Sequence, residues 1–269
     1  MNLSIEFEKE LTSCLADIGL SQGDNIYVTG NIGALGRVRI NKTLKMDLLL
    51  KAFQNNIGRE GTIFSTAASM NLCNTKIPFD IDKTPAHQMG AFAEYFRQLP
   101  NAVRTNHPFW SICGLGNNAN KLKRVSRHAY GAGSPWSIFL ELNTTQVNIG
   151  LHPSKAVTLI HHIETVVGVP YRYTKEFVHP IVHGNEIKEE LFYQLVMYRD
   201  SSIRKKIALN EHFFSELELK GLLNQTQHSS GLKFWSFKMT DFYKIALEFF
   251  IDDIYTYLEE PPPVRPYSK

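Results

Sequence analysis

Apolar positions along the chain follow two periods, one of about 3.6 and one of about 2, and the switches between them mark its elements. In residues 4–18, Ile5, Leu11, Leu15 and Ile18 recur at helical spacing and Gly19 follows, which predicts an amphipathic helix closed by a left-handed residue. Residues 25–29 read NIYVT, a β-branched and aromatic run that predicts a strand. A loop holding Gly30, Gly33 and Gly36 leads into a helix predicted over 42–54. A second strand is expected at 62–65 and a short helix at 91–99, stopped before Pro100. Residues 146–150, QVNIG, predict a third strand, and AVTLIHHIETVV at 156–167 predicts an apolar helix ended by Gly168 and Pro170. The runs 177–182 and 192–198 suggest a hairpin around 183–185, and helices are expected at 211–220 and 239–259. The last residues, PPPVRPYSK, predict an extended tail.

Strands mixed with helices throughout indicate an α/β fold with a central, partly antiparallel sheet between helical layers. The expected organisation is one domain over residues 1–259 and a proline-rich tail over 260–269. At 269 residues with 43% hydrophobic and 20% charged positions, the chain has the make-up of a soluble protein with a sizeable core. Glu6, Glu8, Glu10 and Asp17 interrupt the N-terminal stretch, so no signal peptide is expected there, and no run of eighteen apolar residues predicts a membrane span. Cys14, Cys73 and Cys113 are scattered and odd in number, which predicts a reducing, cytoplasmic location with neither disulfides nor a zinc site. The net charge is +3, with basic groups at Arg37, Arg39, Lys42 and Lys45 and again at Lys121, Lys123, Arg124 and Arg127. No nucleic-acid-binding motif accompanies them, so small molecules rather than nucleic acid or membrane are the expected partners, and a homodimer is left open.

The richest chemistry lies in GLHPSKAVTLIHHIE, residues 150–164, which begins at a strand end and enters a helix, where open α/β sheets collect ligands. At i,i+3 spacing, Glu164 can bind one imidazole nitrogen of His161, fixing the tautomer and raising the basicity of the other nitrogen. Thr158 lies three residues earlier on the same broad face. A base, an orienting carboxylate and a hydroxyl are what acyl transfer to an amine requires, since the amine loses a proton and an oxyanion needs a donor. By spacing alone, a pair satisfying each other in the interior is the favoured reading of His161 and Glu164. A metal site of His152, His161, His162 and Glu164 is disfavoured, because adjacent histidines on a helix diverge by about 100°. Three further loops carry polar groups: RTNHPFWS at 104–111, YGAGSP at 130–135 and GNIGALG at 30–36, the last without the spacing of a dinucleotide or P-loop motif.

These pieces stand in the order and spacing of the aminoglycoside 3-N-acetyltransferase family, which the chain resembles over nearly all of residues 5–258. IGLSQGDNIYVTGNIGALGRV is similar to the family's first strand and CoA-binding loop, GREGTIFST to its second strand, and FDIDKTPAHQMGAFAEYFRQLPNAVRTNHPFWSICGLG to its middle block. GAGSPWSIFLELNTTQVNIG, TLIHHIE and VPYRYTKEF continue the likeness, and MYRDSSIR, ELELKGLL and FYKIALEFF complete it. The resemblance implies a three-layer α/β/α sandwich, acetyl-CoA as co-substrate, no metal, and direct transfer to an amino group on a sugar. It implies His161 as general base, Glu164 as its supporting carboxylate and Thr158 as the hydroxyl on the same helix. His107 and Ser111 match the family's HPxxS element beside the cofactor. Asn31, Ile32 and Gly33 match the segment whose amides meet the CoA pyrophosphate. The chain departs from the family where a His-Ser-Ser-Leu run is usual and Thr29-Gly30-Asn31-Ile32 stands instead, and where HPSK at 152–155 replaces an aspartate-containing stretch.

With a pI near 8.6 and Lys155 just before the helix, an anionic or neutral amino sugar is the expected acceptor, such as a nucleotide-linked aminodeoxysugar of surface-polysaccharide synthesis. The alternative is an aminoglycoside acceptor, hence antibiotic resistance, and a second is a non-catalytic relative that binds CoA.

Overall fold

The computed structural model describes residues 3–206 and 210–264. The chain runs α1 (Leu3–Asp17), β1 (Asn25–Gly30), α2 (Lys42–Ile57), β2 (Thr62–Thr66), α3 (Ala91–Arg97), β3 (Val103–Arg104), β4 (Ile112–Gly116), α4 (Pro135–Glu141), β5 (Thr145–Ile149), α5 (Leu159–Val167), β6 (Arg172–His183), β7 (Glu186–Met197), α6 (Glu211–Leu219), β8 (Asn224–Gln227), β9 (Lys233–Lys238) and α7 (Met239–Asp252). The main sheet has the order β3-β4-β2-β1-β5-β9-β8. β1 pairs in parallel with β2 and β5, and the other described pairings are antiparallel. The sheet is therefore mixed, as the sequence suggested.

β1 explains how the layers form. Its side chains alternate between two cores, Tyr27 joining one and Ile26 and Val28 the other. A strand buried on both faces reads as the continuous run NIYVT rather than as alternation. On Tyr27's side, α4, α5, α6 and α7 contribute Trp136, Phe139, Ile160, Phe214 and Phe242. On the other side, α1, α2 and α3 contribute Leu11, Leu49, Phe53 and Phe96. This makes the three-layer α/β/α sandwich. In α1 the buried face is Phe7, Leu11, Cys14 and Leu15, while Ile5 is 51% exposed.

The β6–β7 hairpin forms a separate two-stranded sheet, paired from Arg172↔Met197 to His183↔Glu186, and is longer than the two apolar runs suggested. Its outer positions, such as Lys175, Glu176, Lys188 and Glu189, are exposed and polar, which hid their strand character. Beneath it lies a small cluster of Leu72, Phe79, Phe109, Ile181 and Phe192. Two helices differ from expectation. The helix expected at 156–167 starts at Leu159, after a short 3-10 turn at Pro153–Lys155. The one expected at 239–259 stops at Asp252, because Asp253 turns extended. The chain then folds back, burying Tyr257 and Leu258 in the α5 core. Residues 260–264 form no helix or strand, and 265–269 of the expected tail lie outside the described residues.

Candidate active site

The two parallel strands β1 and β5 end side by side, and each exits through a glycine that nothing larger could replace. Gly30 has φ +130 and an added Cβ would stand 2.1 Å from the Ile149 carbonyl oxygen; Gly150 has φ +66 and its Cβ would stand 2.0 Å from the Asn31 carbonyl oxygen. Past Gly150, the chain is tied to the sheet before α5 begins. Gln146 Nε2 and Asn148 Nδ2 both donate to the Ala156 carbonyl, at 2.8 and 3.3 Å, and Asn210 Nδ2 donates to the Ser154 carbonyl at 2.8 Å. The N-terminus of α5 is thereby fixed above the sheet's parallel centre.

On α5, His161 Nδ1 donates to Glu164 Oε2 at 2.6 Å. The His161 side chain is 26% exposed and that of Glu164 is 0% exposed. A proton fixed on Nδ1 leaves the Nε2 lone pair to act as a base. The other carboxylate oxygen accepts from Tyr171 Oη at 3.0 Å and Arg172 Nε at 2.8 Å. Burial alone would raise the Glu164 carboxyl, but the hydrogen bonds and charges of His161 and Arg172 outweigh it and hold it below the ordinary range. Burial pushes His161 below its ordinary value; Glu164 opposes this, and the charges of Arg172 and Lys205 add to it. Tyr130 and Tyr257 stand edge-on to the imidazole, with ring centroids at 5.6 and 6.3 Å.

Tyr171 and Arg172 had no role in the sequence reading. The signal was Gly168, which ends α5 at φ +69 and reverses the chain, returning the next residues to the Glu164 carboxylate.

One turn before His161, Thr158 borders a cavity of about 470 Å³ that Tyr27, Thr29, Asn31, Ile32, Thr66, Trp110 and Lys155 also line. Asn31 and its neighbours thus reach the cavity, but two of the three amides expected at a pyrophosphate are engaged in this conformation. The Asn31 amide donates to the Ile149 carbonyl at 2.6 Å, and the Gly33 amide to Asn31 Oδ1 at 2.8 Å.

His107 and Ser111 lie behind Trp110. His107 Nδ1 accepts from the Trp110 amide at 3.1 Å and Nε2 faces the Tyr193 carbonyl at 3.4 Å, while burial pushes its pKa down to about 4. Ser111 Oγ donates to the Ala67 carbonyl at 2.7 Å and accepts from Arg104 Nε at 3.0 Å. Both are buried and hold the wall that presents Trp110. His107 also borders a larger polar groove, about 1090 Å³, which runs along β3 and whose lining includes neither His161 nor Thr158.

The four candidate metal ligands are not brought together. His162 turns its Nδ1 to the Gly131 amide at 3.2 Å, and His152 bonds Ser154 Oγ at 2.8 Å. Among the described residues, no three His, Cys, Asp or Glu side chains gather as metal ligands would.

The chain is similar to known proteins in sequence and in fold. The chain is 24% identical over 197 residues to aminoglycoside N(3)-acetyltransferase VII of Streptomyces paromomycinus, a match covering 64% of this chain and 65% of that protein. It is 25% identical over 146 residues to the aminoglycoside N(3')-acetyltransferase-like protein YokD of Bacillus subtilis, covering 47% and 52%. The chain thus spans about two thirds and about half the length of these two curated relatives. In fold it is similar to AAC-IIIb, solved as a binary complex with CoASH, with a TM-score of 0.77, 20% identity and coverage of 95% of this chain and 98% of that one. The profile of the aminoglycoside 3-N-acetyltransferases matches residues 28–250, and with a match of that extent the chain belongs to the aminoglycoside 3-N-acetyltransferase family.

Proposed function

We propose that the chain transfers the acetyl group of acetyl-CoA to an amine of an aminoglycoside-type amino sugar. The observation that carries this reading is the buried, thrice-bonded Glu164 holding His161 in one tautomer, one turn from a hydroxyl at the cavity wall. Acetyl-CoA supplies an activated acyl thioester. The cavity suits it: Lys155 offers a cation for its phosphates, and Thr158 a donor for the acyl oxygen. As the amine nitrogen bonds to the acyl carbon, His161 Nε2 takes its proton and Thr158 donates to the developing oxyanion. When the carbon–sulfur bond breaks, the imidazolium returns that proton to the leaving thiolate. His107 and Ser111 support the wall from behind, and Asn31 and Ile32 border the cavity.

The charge-based expectation of a nucleotide-linked acceptor is not supported by the relatives, and part of its basic groups lie away from the cavity. Arg37 and Arg39 border a surface depression beside Glu6 and Glu10. Lys121 pairs with Glu141 at 3.1 Å and Arg127 with Glu190 at 2.6 Å, while Lys155 lines the cavity with Thr158. Family membership favours the aminoglycoside alternative. Thiol release from acetyl-CoA, measured with gentamicin-type compounds and with nucleotide-linked aminosugars, tests it. The antibiotic should give the higher specificity constant, and the reverse order would overturn the acceptor assignment. His161→Ala should lower turnover by roughly 10²–10⁴ with acetyl-CoA binding little changed.

A further inference from the structure

Beyond α7 the chain returns to the base. Asp253 ends the helix and turns the backbone: its carboxylate accepts the Tyr255 amide at 2.9 Å and its carbonyl the Thr256 amide at 2.9 Å, a turn that a short acidic side chain favours. The strap that follows pairs with residues 204–206. The Lys206 amide donates to the Tyr257 carbonyl at 3.3 Å and the Glu259 amide to the Arg204 carbonyl at 2.9 Å, with Lys205 and Leu258 in antiparallel register. The strap carries two rings inward. Tyr255 meets Tyr171, the phenol bonded to Glu164, at a centroid distance of 6.2 Å. Tyr257, 3% exposed, meets the His161 imidazole at 6.3 Å with the ring planes 82° apart. The family profile ends at residue 250, so the strap lies beyond its match.

The last torsion of a histidine side chain is broad, and one hydrogen bond, from Nδ1 to Glu164, still lets the ring tilt about it. Two rings set steeply against the imidazole, Tyr130 from the loop before α4 and Tyr257 from the strap, restrict that tilt and cover the imidazole from water. Burial raises both phenols, so neither ring is charged at neutral pH. The charged groups that face the imidazole are Glu164 on α5, which favours its protonation, and Arg172 on β6 and Lys205 beside the strap, which oppose it.

We propose that Tyr257 is a positioning residue for the base, its ring holding the His161 imidazole in the plane that presents Nε2 to the acceptor amine. This rests on the acyl-transfer reading above. The ring acts by packing alone: no proton passes through the strap, and the amine proton goes to His161 Nε2 as before.

Tyr257→Leu removes the ring, keeps an apolar side chain and leaves the backbone pairing that places Lys205. It should lower kcat roughly tenfold at pH 8. The loss should be larger at pH 6, because an imidazole open to water regains affinity for a proton and the acidic limb moves to higher pH. Tyr257→Phe puts the ring back and should recover both the rate and the limb. Lost stability lowers the melting temperature but does not move the limb of the folded enzyme, so the pH–rate profile separates positioning from packing. A limb that stays in place in Tyr257→Leu, or a Tyr257→Phe variant as impaired as Tyr257→Leu, would overturn the proposal. Nuclear magnetic resonance supplies an arm that needs no substrate: the histidine resonance missing from His161→Ala should titrate at higher pH in Tyr257→Leu than in the parent, and equal midpoints overturn the proposal. If Tyr257→Leu does not fold, Tyr257→Met is read in the same way. A parent that releases no thiol from acetyl-CoA, or keeps its full rate in His161→Ala, overturns the acyl-transfer reading and this inference together. A parent that depends on His161, but whose imidazole titrates alike with and without the Tyr257 ring, overturns the inference alone.

Discussion

At His161 the signs of the neighbouring charges set the pH at which the base is ready. An imidazole accepts a proton in its neutral form, and burial with the Arg172 and Lys205 cations favours that form over the pull of Glu164. The free base is thus present from a pH below the ordinary histidine value upward, and kcat/KM should rise through that lowered pKa and level off toward neutrality. Arg172→Gln removes a cation beside the imidazole and leaves Glu164 with one charged donor fewer, and both changes favour the imidazolium. The acidic limb should move to higher pH, so activity at pH 6 falls more than activity at pH 8. A pH–rate profile checks this; an equal loss at every pH would assign Arg172 to packing alone. The His161–Glu164 pair was legible because i,i+3 spacing on a helix is a distance. Arg172 was not, because its approach depends on the reversal at Gly168, and a glycine after a helix does not say where the chain goes next.

At the scale of elements, the two strand tips that frame the cavity are held by glycines with no room to spare. Gly150→Ala would place a methyl 2.0 Å from the Asn31 carbonyl in a left-handed backbone, so the β1 and β5 exits must part. A loss of roughly 2–3 kcal/mol is expected, a fall in melting temperature of about 4–12 °C at this chain length. Acetyl-CoA affinity should fall further than stability, since the displaced turn carries Asn31 and the path to Thr158. A melting curve and a titration check it; full affinity in the folded variant would remove the strand tips from the site. The other helices showed in the sequence through their 3.6-residue period and the parallel strands as short β-branched and aromatic runs, while α4 (Pro135–Glu141) did not. β4 did not, since Gly114 and Gly116 depress strand propensity, yet Gly114 is needed where its Cβ would meet Phe64 and Leu122 at 2.9 Å. β9 did not either, although Phe234, Trp235, Ser236 and Phe237 are buried in succession as the residues of β2 and β5 are.

At the scale of the whole molecule, a net charge of +3 did not predict the charge of one cleft. The basic groups proved to be distributed over separate surfaces, and Lys155, expected beside the acceptor, faces the cavity shared by Thr158 and Asn31. A cation there attracts a phosphate-bearing co-substrate. Lys155→Met should raise the KM for acetyl-CoA by roughly three- to tenfold at low salt and leave the acceptor KM within about twofold. The difference between parent and variant should shrink as salt is added, because the screening length falls from about 10 Å at 0.1 M to about 3 Å at 1 M. Steady-state kinetics with each substrate varied in turn, at both ionic strengths, measure all four constants. An altered acceptor KM at constant KM for acetyl-CoA would place Lys155 in the acceptor cleft and favour an anionic amino sugar as the acceptor.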